Sequence, residues 1–205
     1  MAKPNIKDFD SVLCVEGYSD LLFYAEFLED LGKTGVYIAD FNGKADLIAQ
    51  LDALITPQLL AEKTRIGVVM DADGNPAGTF TSFQNALATL TGQTVAAPGT
   101  WTDGTPRVGL FVAPDAGNQG EIETLVWRAW SADEANAPAK ACIETFISCM
   151  QADGHSAKSP DKGLLAALLA IRNDEDPRLG PGARANVFDF TRAEFAALSE
   201  FLSGF

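Results

Sequence analysis

Short apolar runs alternate along this chain with stretches whose apolar side chains recur every three or four positions. That alternation predicts strands and helices in succession, and so a mainly parallel α/β sheet. SVLCV at 11–15 predicts a buried first strand, and residues 20–31 a helix with Leu21, Tyr24, Phe27, Leu28 and Leu31 on one face and Gly32 just past its end. Residues 36–40 predict a second strand, and 45–63 a helix carrying Leu47, Ile48, Leu51, Leu54, Ile55 and Leu59. RIGVVM at 65–70 predicts a third strand running into acid, followed by a helix over 81–90. The polar, turn-rich stretch 92–107 predicts an exposed loop with room for a short hairpin; 108–113 predicts a fourth strand and 120–130 a helix. SADEANAP at 131–138 reads as a linker, with helices over 139–151, 164–172 and 192–202. The expectation is a four-stranded, mainly parallel sheet flanked by helices over residues 9–130, and a helical C-terminal extension over 139–205 packed on it as one structural unit.

A chain of 205 residues, 47% of them hydrophobic, can bury a sizeable core, which excludes a disordered tail or a rod. No apolar run reaches the roughly 18 residues of a membrane span, and the start MAKPNIKDFD is polar. The reading is a soluble, cytoplasmic protein with no membrane association. Lys and Arg number 15 against 28 Asp and Glu, a net charge of −13. The summed field repels phosphate backbones, so any contact with nucleic acid has to rest on metal ions or local patches. Cys14, Cys142 and Cys149 form no CxxC and sit in apolar stretches, which predicts three buried free thiols. The single histidine, His155, excludes a multi-histidine metal site and leaves little room for a serine or cysteine triad. What remains is carboxylate chemistry.

In an open parallel sheet, loops and helix N-termini converge beyond the carboxyl ends of the strands, and ligands bind there. Glu16 directly follows the first predicted strand, Asp71 and Asp73 the third, and Asp115 the fourth, with Glu121 and Glu123 at the next helix start; Asp20 leans back from the first helical turn. Such a cluster repels itself unless cations occupy it. Oxygen ligands without histidine suit a hard ion, magnesium or manganese. Two motif readings fail. Gly32-Lys33-Thr34 lacks the upstream glycine and strand of a phosphate-binding loop. VVMDADGNPAGT looks like a haloacid-dehalogenase nucleophile motif, but a complete βαβα unit precedes it and no matching acid pair follows.

Read together, VEGYSDLLFYAEFLEDLG, FNGKADL, VVMDADGNP and GNQGEIETLVW resemble the Toprim domain of topoisomerases, bacterial primases and small metal-dependent nucleases. The Glu-Gly pair falls on Glu16 and Gly17 after the first strand, and the DxD on Asp71 and Asp73 after the third. SPDKGLLAALLA and RLGPGARANVFDFTRAEFAALSEFL are similar to the C-terminal part of an uncharacterised group of stand-alone bacterial Toprim-like proteins. The resemblance implies that Glu16 acts as general acid or base, and that Asp71 and Asp73 hold Mg²⁺ (or Mn²⁺) during phosphodiester cleavage. Glu16 and Asp20 are similar to the ExxxD of the nuclease branch that accompanies overcoming-lysogenisation-defect ATPases. There Glu123 would join the metal ligands and Lys162 would steady developing negative charge. Gly17 and Lys44, the latter at a predicted helix N-terminus, are candidate phosphate contacts. Tyr18, Tyr24 and Tyr37 all lie inside the Toprim-like part, so strand passage is not supported, and the zinc module and basic region of primases are missing. The expected function is therefore a Mg²⁺-dependent, nuclease-like hydrolase acting on nucleic acid. The alternative is a non-catalytic module that binds a nucleotide, a nucleic-acid end or a protein partner.

Overall fold

The computed structural model describes residues 4–157 and 159–205. Residues 1–3 of the polar start and residue 158, before the SPDKG segment, lie outside them. Five strands form one sheet: β1 (Ser11–Val15), β2 (Val36–Asp40), β3 (Arg65–Asp71), β4 (Thr100–Trp101) and β5 (Arg107–Ala113), in the order β2-β1-β3-β5-β4. All pairings are parallel except β4 with β5. The expected α/β class and mainly parallel sheet are observed, but the sheet has five strands rather than four. The fifth is the two-residue antiparallel β4, which the 92–107 segment contributes. Trp101 holds it in place, stacking on Phe201 with ring centroids 4.9 Å apart and donating its indole N–H to the Phe201 carbonyl at 3.0 Å.

Successive strand residues point to opposite faces, and each face has its own core. Leu13, Val15, Val69 and Phe111 pack under α1 (Tyr18–Asp30), α5 (Ile122–Ser131) and the C-terminal helices. Val12, Cys14, Val68 and Met70 pack under α2 (Lys44–Leu54), α3 (Pro57–Glu62) and α4 (Pro76–Thr91). The single helix expected over 45–63 is two, because Pro57 cannot continue a helix and instead starts the next one, with the Thr56 hydroxyl accepting the Leu59 N–H at 3.2 Å. The helix expected from 81 begins at Pro76, capped by Asn75.

Beyond α5, the 131–138 segment includes a 3₁₀ turn at Glu134–Asn136 leading into α6 (Ala137–Ala152), then α7 (Pro160–Arg172), α8 (Leu179–Arg184) and α9 (Ala196–Ser203). Helix α8 had no counterpart in the sequence reading. It lies so close to α1 that a Cβ on Gly180 would stand 2.4 Å from the Leu22 Cβ. Helix α6 corrects the thiol expectation: Cys14 is buried, but Cys142 and Cys149 are exposed. The physical reason is position, since α6 is an outer helix that covers α7 and buries none of its own residues completely. Among the described residues no helix is long and apolar enough to cross a membrane.

Candidate functional site

Because β1, β3 and β5 run parallel, their carboxyl ends share one edge. The chain leaves β1 at Glu16, and Gly17 caps α1, so Asp20 in the first helical turn can fold its carboxyl back to the Gly17 N–H. Glu16 Oε1 accepts the Asp71 backbone N–H at 3.0 Å, which ties the end of β1 to the end of β3. Asp71 Oδ1 in turn accepts the Ile122 N–H at 2.8 Å, at the first residue of α5. An acid near a helix start is favoured by the exposed N–H groups and the dipole, so α1 and α5 each draw a carboxylate to this edge.

Glu123, in the first turn of α5, completes the group. Its side chain is only 15% exposed, and its Oε2 is buried with no hydrogen-bond partner. Lys162 enters from α7, its ammonium 3.0 Å from Glu121 Oε2 and 3.8 Å from Glu123 Oε1. The Glu121 contact is an ion pair whose angle makes no hydrogen bond. Helix α7 brings Lys162 there because its start is pinned to the start of α5: the Thr124 hydroxyl donates to Asp161 at 2.6 Å.

The electrostatics follow from burial and crowding. Burial raises the Glu16 carboxyl above its ordinary pKa, and the Asp71 N–H and Lys44 oppose the rise. Burial, then the Glu123 and Glu16 charges, push Asp20 up to about 7. Burial and the same neighbours raise Asp71 well above the usual carboxylate range, against the Ile122 N–H. Burial also raises Glu123, and Lys162 opposes it. For Lys162, burial disfavours the charge, but Glu123 and Glu121 more than offset that and lift its pKa above the ordinary lysine value. Tyr24, beneath the cluster, is raised by burial and by Asp20, Asp71, Glu123 and Glu16.

The structure thus brings together Glu16, Asp20, Asp71, Glu123 and Lys162. Asp73 stands to one side: at φ 51° it is in the left-handed region, is 56% exposed, and forms an ion pair with Lys44, which also reaches the Thr79 hydroxyl at 3.3 Å. Asp73 and Gly120 exchange both backbone hydrogen bonds at 2.8 Å, joining the loop after β3 to the turn before α5. Asp115 is engaged elsewhere, with Gly117, Asn118 and Arg128, contacts that hold its pKa down against burial. Among the described residues no three His, Cys, Asp or Glu side chains form a ready-made ion cage. Sequence reasoning missed Asp161 and the start of α7, although Ser159, Pro160 and Asp161 spell a helix N-terminus.

Fold and site together define a class: an α/β protein of mainly parallel sheet whose carboxyl edge gathers partly buried acids beside a half-exposed lysine. The chain belongs to the family described as protein of unknown function (DUF3226), which residues 10–205 match. No curated protein and no solved structure matches it.

Proposed function

We propose that this protein is a Mg²⁺- or Mn²⁺-dependent phosphodiesterase of the Toprim kind, a nuclease-like cytoplasmic hydrolase acting on nucleic acid. The observation that carries this reading is the convergence of Glu16, Asp20, Asp71 and Glu123 on one strand edge, with Glu123 Oε2 buried and lacking a donor. Carboxylates whose pKa values rise through burial and then mutual repulsion form a site that gains from a cation, and all-oxygen donors suit a hard one. Asp71, Asp20 and Glu123 are the residues that would hold it, with Asp73 at the margin once released from Lys44. A divalent ion there supplies an activated water and charge stabilisation for the leaving oxygen.

The chain's own groups supply the rest. Glu16 is the acid/base: the Asp71 N–H fixes its orientation through one oxygen, and its raised pKa suits proton exchange nearer neutrality. Lys162 holds a fixed positive charge beside the acids, placed to steady charge that develops on phosphoryl oxygens. Gly17 and Lys44 border the same edge as phosphate contacts.

A second reading, a non-catalytic module binding a nucleotide, a nucleic-acid end or a protein partner, is favoured by the lack of a ready-made ion cage among the described residues. One experiment separates the two. Glu16→Gln keeps the Oε1 acceptor for Asp71 but cannot exchange a proton, so manganese-dependent cleavage should fall by roughly 10²- to 10⁴-fold while the melting temperature hardly moves. Wild-type protein that cleaves no DNA, RNA, cyclic nucleotide or dinucleotide with either ion would leave the binding module as the function.

A further inference from the structure

The charged groups around the edge limit what can approach it. Beside the acid cluster lies an open groove of about 790 Å³, lined by Asp73 and Gly74 after β3, residues 119–121 and Thr124, and the start of α7 from Ser159 to Lys162. That volume falls within the roughly 300–1,000 Å³ of small-molecule sites. The groove is braced rather than loose. Gln119 Nε2 donates to the Gly74 carbonyl at 2.9 Å along one side, and the Thr124–Asp161 hydrogen bond joins α5 to α7.

A nucleic acid longer than the groove needs cations outside it, because each phosphate contact draws on Lys or Arg. Among the described residues those cations are committed or distant. Lys44, Arg128, Lys140, Arg178, Arg184 and Arg192 each stand beside a carboxylate. Lys33 and Lys63 donate to main-chain carbonyls. Arg65 and Arg107 begin β3 and β5, and so lie at the opposite end of the sheet; Arg107 also sits over the Trp101 ring. Arg172 ends α7, the far end from Lys162, and Lys7 lies in the turn just before β1, at the opposite end of the sheet. Among the described residues the groove's own charged lining is Asp73, Glu121 and Asp161 against Lys162, with Lys44 paired to Asp73 at its margin. One phosphate can be accommodated there, while a run of phosphates would cross acidic surface.

We infer that the substrate is a short single-stranded oligonucleotide, on the order of two nucleotides long, held in this groove, and not duplex or a long strand. The inference rests on the phosphodiesterase reading and narrows its substrate class. It is tested by measuring manganese-dependent kcat/KM of the full chain, at fixed ionic strength, on a dinucleotide, a long single strand and the same strand in duplex, as DNA and as RNA. The dinucleotide should exceed the duplex by about tenfold or more, since the field that would steer a polyanion is inverted here. Its rate should also change little with added KCl. Asp161→Asn keeps an acceptor for Thr124 but removes one charge from the groove, and should narrow the gap. Duplex cleaved as well as the dinucleotide, or a gap unmoved in Asp161→Asn, would overturn the inference and leave the phosphodiesterase standing. Cleavage of none of the three would overturn both.

Discussion

Lys44 is the first residue of α2 and Lys162 lies in the first turn of α7, positions where the helix dipole disfavours a cation. Each is turned toward acids of the strand edge, Asp73 for one and Glu121 with Glu123 for the other. Asp73 adds a left-handed backbone that a non-glycine residue adopts only at a cost. Local rules broken at one place mark it as the part of the molecule shaped for something other than stability. Asp20 makes this measurable. Its folded pKa, about 7, lies above the ordinary 3.8, so between those values the folded chain binds more protons than the unfolded one. For that sign of shift stability is fully present below the unfolded pKa and falls as pH climbs toward the folded one. Without divalent ions, denaturant titrations should therefore show the protein weakening from about pH 4 to about pH 7. Asp20→Asn should flatten that slope and add on the order of 2 kcal/mol at the upper end. Equal slopes for the two proteins would mean that Asp20 carries no such strain.

At the scale of elements, the sheet is covered on one face by an aromatic lid from the edge strand β4 and the C-terminal segment. Gly67 and Gly109 are register partners on β3 and β5, and the space a side chain would fill there is taken by Trp101, Phe201 and Phe205. A Cβ on Gly109 would lie 2.7 Å from Trp101 and 2.9 Å from Phe201. Gly109→Val should cost about 1–3 kcal/mol of stability by overpacking, and a urea midpoint equal to wild type would show that the lid is not fitted to the sheet. This also explains what the sequence could and could not reveal. Strands β1, β2, β3 and β5 and the faces of α1 and α2 were legible because their periodicity is local. Strand β4 was not, since two residues carry no period and Trp101 is held by Phe201, near the C-terminal end of the sequence and far from it along the chain. Glu16 and Asp71 were legible from the rule that parallel strands end in loops on one edge. Glu123 was legible as an acid at the start of α5, but its role as a metal ligand, and Lys162 altogether, came only through resemblance, because nothing local says that α7 docks on α5.

Over the whole molecule the net charge is −13, and part of it lies where Asp71 and Glu123 are buried beside other acids. Lys162 compensates part of it, but one lysine cannot answer Glu16, Asp20, Asp71, Glu121 and Glu123 at once. The folded chain should therefore bind divalent ions that the unfolded chain, with its acids spread through solvent, does not. Binding restricted to the folded state adds stability by mass action, about 2.7 kcal/mol at a free ion concentration about a hundredfold above Kd. Magnesium and manganese should raise the melting temperature, and zinc should not do so selectively, since the edge offers oxygen and no histidine or thiolate. Protons compete for the same oxygens, so the gain should be larger at about pH 8 than at about pH 5, with Asp20 titrating between at about 7. Asp71→Asn should lose most of the gain, whereas Asp115→Asn, which changes an acid engaged with Arg128 instead, should keep it. A magnesium titration whose shift is matched by sodium chloride of equal ionic strength would reduce the effect to general screening and leave the edge without a specific ion.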